Sequence, residues 1–252
     1  MMATKKNIFG WIPNFLTSLN LVSGSVAVIF GIDGHLSLAG IFILIAALFD
    51  FLDGMTARLL KAYSPIGKEL DSLADVISFG LAPAAILFTL YEYTLFGKNQ
   101  HIQDIEGSLT DWLILFSSFL IPVFSALRLA KFNVSTEQER NFVGLPTPAN
   151  AILWASLGLM LSFPGHTDLL RMLYSTKNFL IIVIVTSLLL VSEIPMFSLK
   201  FKSFLWSENR HRYIFIFLCI ILLVFLQVYA IPILIFLYIL FNMALYLLKI
   251  EL

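Results

Sequence analysis

Residues 49–84 read FDFLDGMTARLLKAYSPIGKELDSLADVISFGLAPA. Two mainly apolar stretches flank the turn Tyr63-Ser64-Pro65, and Asp50, Asp53, Asp71 and Asp75 lie within or beside them. At about 100° per residue, Asp50, Asp53, Gly54 and Ala57 share one helix face. Gly67, Asp71 and Asp75 form an i, i+4, i+8 stripe on the next helix. Ser64 suits an N-cap and Pro65 a first helical position. Folding the helices antiparallel about this turn sets Asp53 level with residue 74 and Asp50 level with residue 77. All four carboxylates then reach one depth.

The helices that carry these charges belong to a very apolar chain. Of 252 residues, 59% are apolar and 13% charged, and the mean hydropathy is +0.91. Soluble domains run closer to half apolar and a quarter charged. Abundant apolar residues exclude intrinsic disorder. With 16 basic and 16 acidic residues, no basic field points to nucleic acid. The single Cys219 stands in an apolar run and allows no internal disulfide.

A spanning helix needs about 20 apolar residues. About eight candidates run near 13–33, 36–61, 66–95, 111–131, 146–163, 178–199, 211–229 and 230–249. The last two, read as one kinked helix, would extend roughly 58 Å, about twice the hydrocarbon core. Two spans are therefore expected. No run of short alternating segments supports a β-barrel. Residues 3–12 are expected to form a short interfacial helix with Trp11 at headgroup level. The fold class is thus an all-α polytopic membrane helix bundle. It forms a single membrane domain over 1–252, with a catalytic core over 1–200 and two additional helices over 201–252. With an inside N-terminus and eight alternating spans, 13 Lys and Arg fall inside. Only Lys98, Arg171 and Lys177 fall outside. This bias predicts that both termini are cytoplasmic.

Ionisable residues inside apolar helices are costly, so a functional role is the default expectation. Four carboxylates need cations among them. Hard oxygen ligands call for Mg²⁺, Mn²⁺ or Ca²⁺, and four suit a centre of two ions. Gly54, Ala57 and Gly67 leave room for a ligand against the helices. Arg58 offers a fork for phosphate. A proton or cation pathway is the competing reading, although it has no need of the glycines or the arginine. Simple capping of loops by the aspartates is a third.

The pattern D-x2-D-G-x2-A-R-x8-G-x3-D-x3-D resembles the signature of the CDP-alcohol phosphatidyltransferases. Asp50, Asp53, Gly54, Ala57, Arg58, Gly67, Asp71 and Asp75 meet it without departure. The resemblance implies that Asp50, Asp53, Asp71 and Asp75 ligate divalent metal, two ions per site, and that Asp75 is also the general base. It implies that Gly54, Ala57 and Gly67 line a cytidine pocket, while Asp50 and Arg58 contribute to CDP-diacylglycerol binding. A homodimer with a six-helix catalytic bundle is implied as well, as is IPNFLT at 12–17 as the entry to the first span.

ADVISFGLAPA at 74–84, SALRLAKFN at 125–133 and GLPTPAN at 144–150 look like the phosphatidylserine synthase branch. Serine needs a cation for its carboxylate and acceptors for its ammonium group. Arg128, Lys131 and Asn133, at the inner end of the fourth span, are the candidates. The competing reading, for Arg128 and Lys131 above all, is a positive-inside anchor. In this branch Arg is the usual residue where Lys131 stands. The expected reaction is transfer of a phosphatidyl group from CDP-diacylglycerol to L-serine, releasing CMP, at a site facing the cytoplasm of the inner membrane. A sister transferase using glycerol 3-phosphate, inositol phosphate or choline is the nearest alternative. A cation-coupled transporter is the next. The four histidines have no metal-ligand spacing. The two final spans are expected to serve packing or dimerisation.

Overall fold

The computed structural model describes residues 10–134, 142–163, 172–196 and 206–247. The expected interfacial helix over 3–12 falls outside these, apart from the turn at Gly10 and the start of the first helix. So do both termini and residues 135–141, half of the loop 132–145. Ten α-helices are described: α1 Trp11–Ile32, α2 Leu36–Leu59, α3 Pro65–Asp75, α4 Ala82–Phe96, α5 Leu109–Phe116, α6 Leu120–Val134, α7 Thr147–Met160, α8 Thr176–Leu190, α9 Trp206–Leu226 and α10 Ala230–Leu247. Five helical runs are long and apolar enough to cross a bilayer: Trp11–Ile32, Leu36–Leu59, Pro65–Phe96, Leu109–Val134 and Phe215–Tyr246. Their outward faces carry large apolar side chains such as Ile29, Phe51 and Phe225. This is the surface of an integral membrane protein.

The inward faces are small or polar. The buried stripe of α1 is Pro13, Thr17, Asn20, Gly24, Ala27 and Gly31, a spacing of four and three that holds one face to the bundle. Lipid supplies no hydrophobic drive between helices, so close backbone approach does the packing. A Cβ on Gly24 would stand 2.1 Å from Ser78 Oγ and 2.6 Å from Ser78 Cα. Where α2 crosses α7, a Cβ on Gly40 would lie 2.7 Å from Ala155 O, and one on Gly158 the same distance from Leu36 O. Trp154, Tyr91, Phe79 and Phe179 fill the centre.

The third predicted span is one helical run with a wider π-helical stretch, Val76–Leu81, joining α3 to α4. Pro83 has no N–H to return to Phe79 and stands where that ladder closes. Ser78 Oγ donates to Asn20 O (3.0 Å) and ties this stretch to α1.

The last two predicted spans form a hairpin. Gln227–Tyr229 turns the chain, with Gln227 at φ 49°. Phe215 then packs on Phe241 (6.0 Å between ring centres) and buries Leu245. The fifth and sixth predicted spans are shorter than expected, at Thr147–Met160 and Thr176–Leu190. The expected sixth helix over 178–199 instead ends at Leu190. The chain beyond it becomes extended, and Pro195–Met196 pairs antiparallel with Phe142–Val143.

One buried charge outside the aspartate group was not anticipated. Glu92 on α4 is buried and accepts from Asn99 Nδ2 (2.7 Å), which also donates to Ile32 O (3.1 Å). It fastens the far ends of α1 and α4.

If the Gly24–Ser78 approach sets the spacing of α1 and the π-helical stretch, Gly24→Val should destabilise by about 1–3 kcal/mol. A thermal melt in detergent should show a lowered Tm, while Ser25→Val on the exposed face of α1 leaves it unchanged.

Candidate metal and substrate site

The turn between α2 and α3 follows the sequence reading. Ser64 is the N-cap of α3, its Oγ accepting from the Gly67 N–H (2.9 Å), and Pro65 is the first helical residue. The chain leaves α2 through Lys61 at φ 49°, a conformation more usual for glycine. The two helices run back antiparallel, and their aspartates converge. One carboxylate oxygen each from Asp50, Asp53 and Asp71 lies within 4.8 Å of the others. Asp75 stands close enough to interact electrostatically with Asp50, Asp71 and Asp53. Asp53 and Asp75 are buried.

α1 supplies what the sequence reading missed. Thr17 Oγ1 donates to Asp53 Oδ2 (2.6 Å), and Asn20 Nδ2 donates to Asp75 Oδ1 (3.3 Å). The signal was present: Asn14, Thr17 and Asn20 recur every third residue and Gly24 follows four later, all on one face of an apolar helix. These contacts orient two of the carboxylates, as outer partners do at metal sites.

The donor set is all carboxylate oxygen. Asp71 Oδ1 is buried without a hydrogen-bond partner among the described residues. Carboxylates packed this closely repel one another unless a cation sits among them. Hard oxygen donors in this number suit Mg²⁺, Mn²⁺ or Ca²⁺, so the residues present fit a divalent ion.

Beside the aspartates lies a cavity of about 500 Å³. α1 lines it with Pro13, Asn14 and Thr17, α2 with Asp53, Gly54 and Ala57, and α3 with Gly67, Lys68 and Asp71. A Cβ on Gly54 would meet nothing within 4 Å, so that backbone faces open space. Gly67 has a second reason to be small: its Cβ would stand 2.8 Å from Asn14 Oδ1. Arg58 is exposed and stands outside the lining, with its Nε donating to Gly54 O (3.0 Å).

Of the three residues proposed for serine, Arg128 reaches inward. Its Nε is buried and has no hydrogen-bond partner among the described residues. Its guanidinium lies within electrostatic range of Tyr238 of α10 and of Asp75. Asn133 instead joins helices: its Nδ2 donates to Ser72 Oγ (2.8 Å), and its carbonyl accepts from Lys68 Nζ (3.1 Å). Lys131 is exposed. Tyr238 had no signal in the sequence, since it is one aromatic among many in an apolar run.

Residues 10–191 match the CDP-alcohol phosphatidyltransferase family. The chain belongs to that family. Among its relatives is an archaetidylserine synthase of Methanothermobacter thermautotrophicus, 36% identical over 197 residues, covering 77% of this chain and 73% of that protein. A CDP-diacylglycerol–serine O-phosphatidyltransferase of Mycobacterium leprae is 34% identical over 195 residues, 73% of this chain and 57% of the relative. One of Helicobacter pylori is 30% identical over 215 residues, 83% of this chain and 80% of the relative. The match to the family ends before α9 and α10.

Loss of the α1 contact to Asp53 should weaken cation binding without unfolding the bundle. Thr17→Val is expected to raise the Mn²⁺ concentration needed for half-maximal thermal stabilisation by about tenfold, with the metal-free Tm little changed.

Proposed function

We propose that this protein is an enzyme of the cytoplasmic membrane that transfers a phosphatidyl group from CDP-diacylglycerol to L-serine, giving phosphatidylserine and CMP. The observation that carries the reading is the convergence of Asp50, Asp53 and Asp71 within 4.8 Å beside a cavity walled by Gly54, Ala57 and Gly67. The relatives of M. leprae and H. pylori are serine O-phosphatidyltransferases, which supports serine as acceptor. The half-buried Arg128, whose Nε is buried within electrostatic range of Asp75, supports it too.

Asp50, Asp53, Asp71 and Asp75 would hold two divalent ions, Mg²⁺ or Mn²⁺, which supply charge neutralisation for the diphosphate and the departing CMP. Gly54, Ala57 and Gly67 let the cytidine lie against α2 and α3. Arg58, freed from its contact with Gly54 O, reaches the diphosphate at the cavity mouth. Asp75 accepts the serine hydroxyl proton, held ready by Asn20. The serine oxygen then forms a bond to the phosphorus that bears diacylglycerol, the bond from that phosphorus to the CMP oxygen breaks, and CMP leaves with the electron pair. Arg128 holds the serine carboxylate and so aims the hydroxyl. The lipid tails enter between helices from the inner leaflet. Water-soluble serine and CMP exchange with the cytoplasm, the side on which 13 of 16 basic residues are placed by the eight-span reading. Catalysis rests on residues 1–200. The α9–α10 hairpin supports that core, and the active form is a homodimer.

CMP release by the purified protein with CDP-diacylglycerol and Mn²⁺ tests this reading. Release is expected with L-serine and not with glycerol 3-phosphate, inositol, inositol phosphate or choline. Asp75→Asn should lower kcat by at least about a hundredfold while CDP-diacylglycerol still binds. Release driven by a different acceptor, or full turnover by Asp75→Asn, would overturn the acceptor or the base respectively.

A further inference from the structure

A second cavity, of about 580 Å³, opens between the inner end of α6 and the segment that follows α8. Arg128 and Lys131 stand on the α6 wall. Ser192 and Glu193 stand on the wall after α8.

That second wall is clamped. The Gly144 N–H donates to Ile194 O, the Leu145 N–H donates to Leu189 O, both at 2.9 Å, and Val143 pairs with Pro195. Gly144 takes φ 74°, and a Cβ there would stand 2.7 Å from Leu190 O and 2.9 Å from Ser192 O. Only glycine permits this approach in that conformation. Ser192 Oγ turns back to Leu189 O (2.9 Å), which leaves the Glu193 carboxylate as the charge this wall presents. The Gly144-Leu145-Pro146 stretch thus fixes Glu193 opposite α6.

The charges are held apart. Glu193 makes no ion pair with Arg128 or Lys131 among the described residues, and Arg128 Nε has no hydrogen-bond partner there. A pair that served only the fold would close on itself. Here two cations and one carboxylate face a shared, water-reachable space, which is the complement of a small zwitterion. Arg128 also lies within electrostatic range of Asp75, so it stands between this space and the aspartates.

We propose that Glu193 binds the ammonium group of the acceptor, opposite Arg128, and so selects a zwitterionic amino acid over anionic alcohols. The inference rests on serine being the acceptor. Glycerol 3-phosphate or inositol phosphate would bring its negative charge against Glu193, and choline lacks the carboxylate that Arg128 takes.

The test uses the full-length protein with CDP-diacylglycerol and Mn²⁺. Glu193→Gln should raise the KM for L-serine by about tenfold or more. Its kcat and its KM for CDP-diacylglycerol should stay within about twofold of wild type. Inhibition by 3-hydroxypropionate, which is serine without its amino group, should not weaken. Glu193→Asp should recover part of the serine affinity. An unchanged KM for serine in Glu193→Gln would overturn the proposal, as would a parallel loss of serine and 3-hydroxypropionate binding. Wild-type protein that releases CMP with another acceptor and not with serine would remove the serine reading as well. Normal serine turnover with an indifferent Glu193→Gln would remove this inference alone.

Discussion

Carboxylates do not sit at close quarters inside apolar helices unless something compensates for their repulsion and lost hydration. Asp50, Asp53, Asp71 and Asp75 are in that position, and much of the bundle is arranged around them. The turn capped by Ser64 sets the register that brings the α2 aspartates level with those of α3. α1 lies close enough for Thr17 and Asn20 to hold Asp53 and Asp75. That closeness requires Gly24 against Ser78 and Gly67 against Asn14. The small residues therefore do two jobs. Some let helix backbones approach, and Gly54 opens a cavity beside the charges.

The same economy of small residues explains the acceptor side. Gly144 brings the segment after α8 against the stretch before α7, and this holds Glu193 across a cavity from Arg128. α10 then reaches Arg128 through Tyr238. The final hairpin, which lies beyond the residues matched to the family, thus touches the chemistry at one point while packing on α7 and the α8 end.

The sequence announced the aspartates because charge in an apolar helix is conspicuous and its 3.6-residue period is easy to read. Most span positions were legible for the same reason, and hydrophobic length alone argued for the closing hairpin. The support from α1 was harder to see. Thr17 and Asn20 are two polar residues in an otherwise apolar run, and only the fold shows which face meets Asp53. Glu92 was passed over because a lone carboxylate near a helix end carries no pattern. The early end of α8 at Leu190 had a signal that the apolar count overrode: Ser192, Glu193 and Pro195 interrupt the run, and a tertiary pairing with Phe142–Val143 then makes the segment extended. Glu193 and Tyr238 gain meaning only from what stands opposite them.

On the proposed mechanism the four aspartates would bind the divalent ions that make the diphosphate reactive. Equilibrium binding of Mn²⁺ to the purified protein in the presence of CDP tests it most directly, read by electron paramagnetic resonance. Two ions should bind per chain in the wild type, with the magnetic coupling of a pair about 4 Å apart, and Asp71→Asn should remove at least one of them. Mn²⁺ binding that is indifferent to replacement of Asp50, Asp53 and Asp71 would contradict the account.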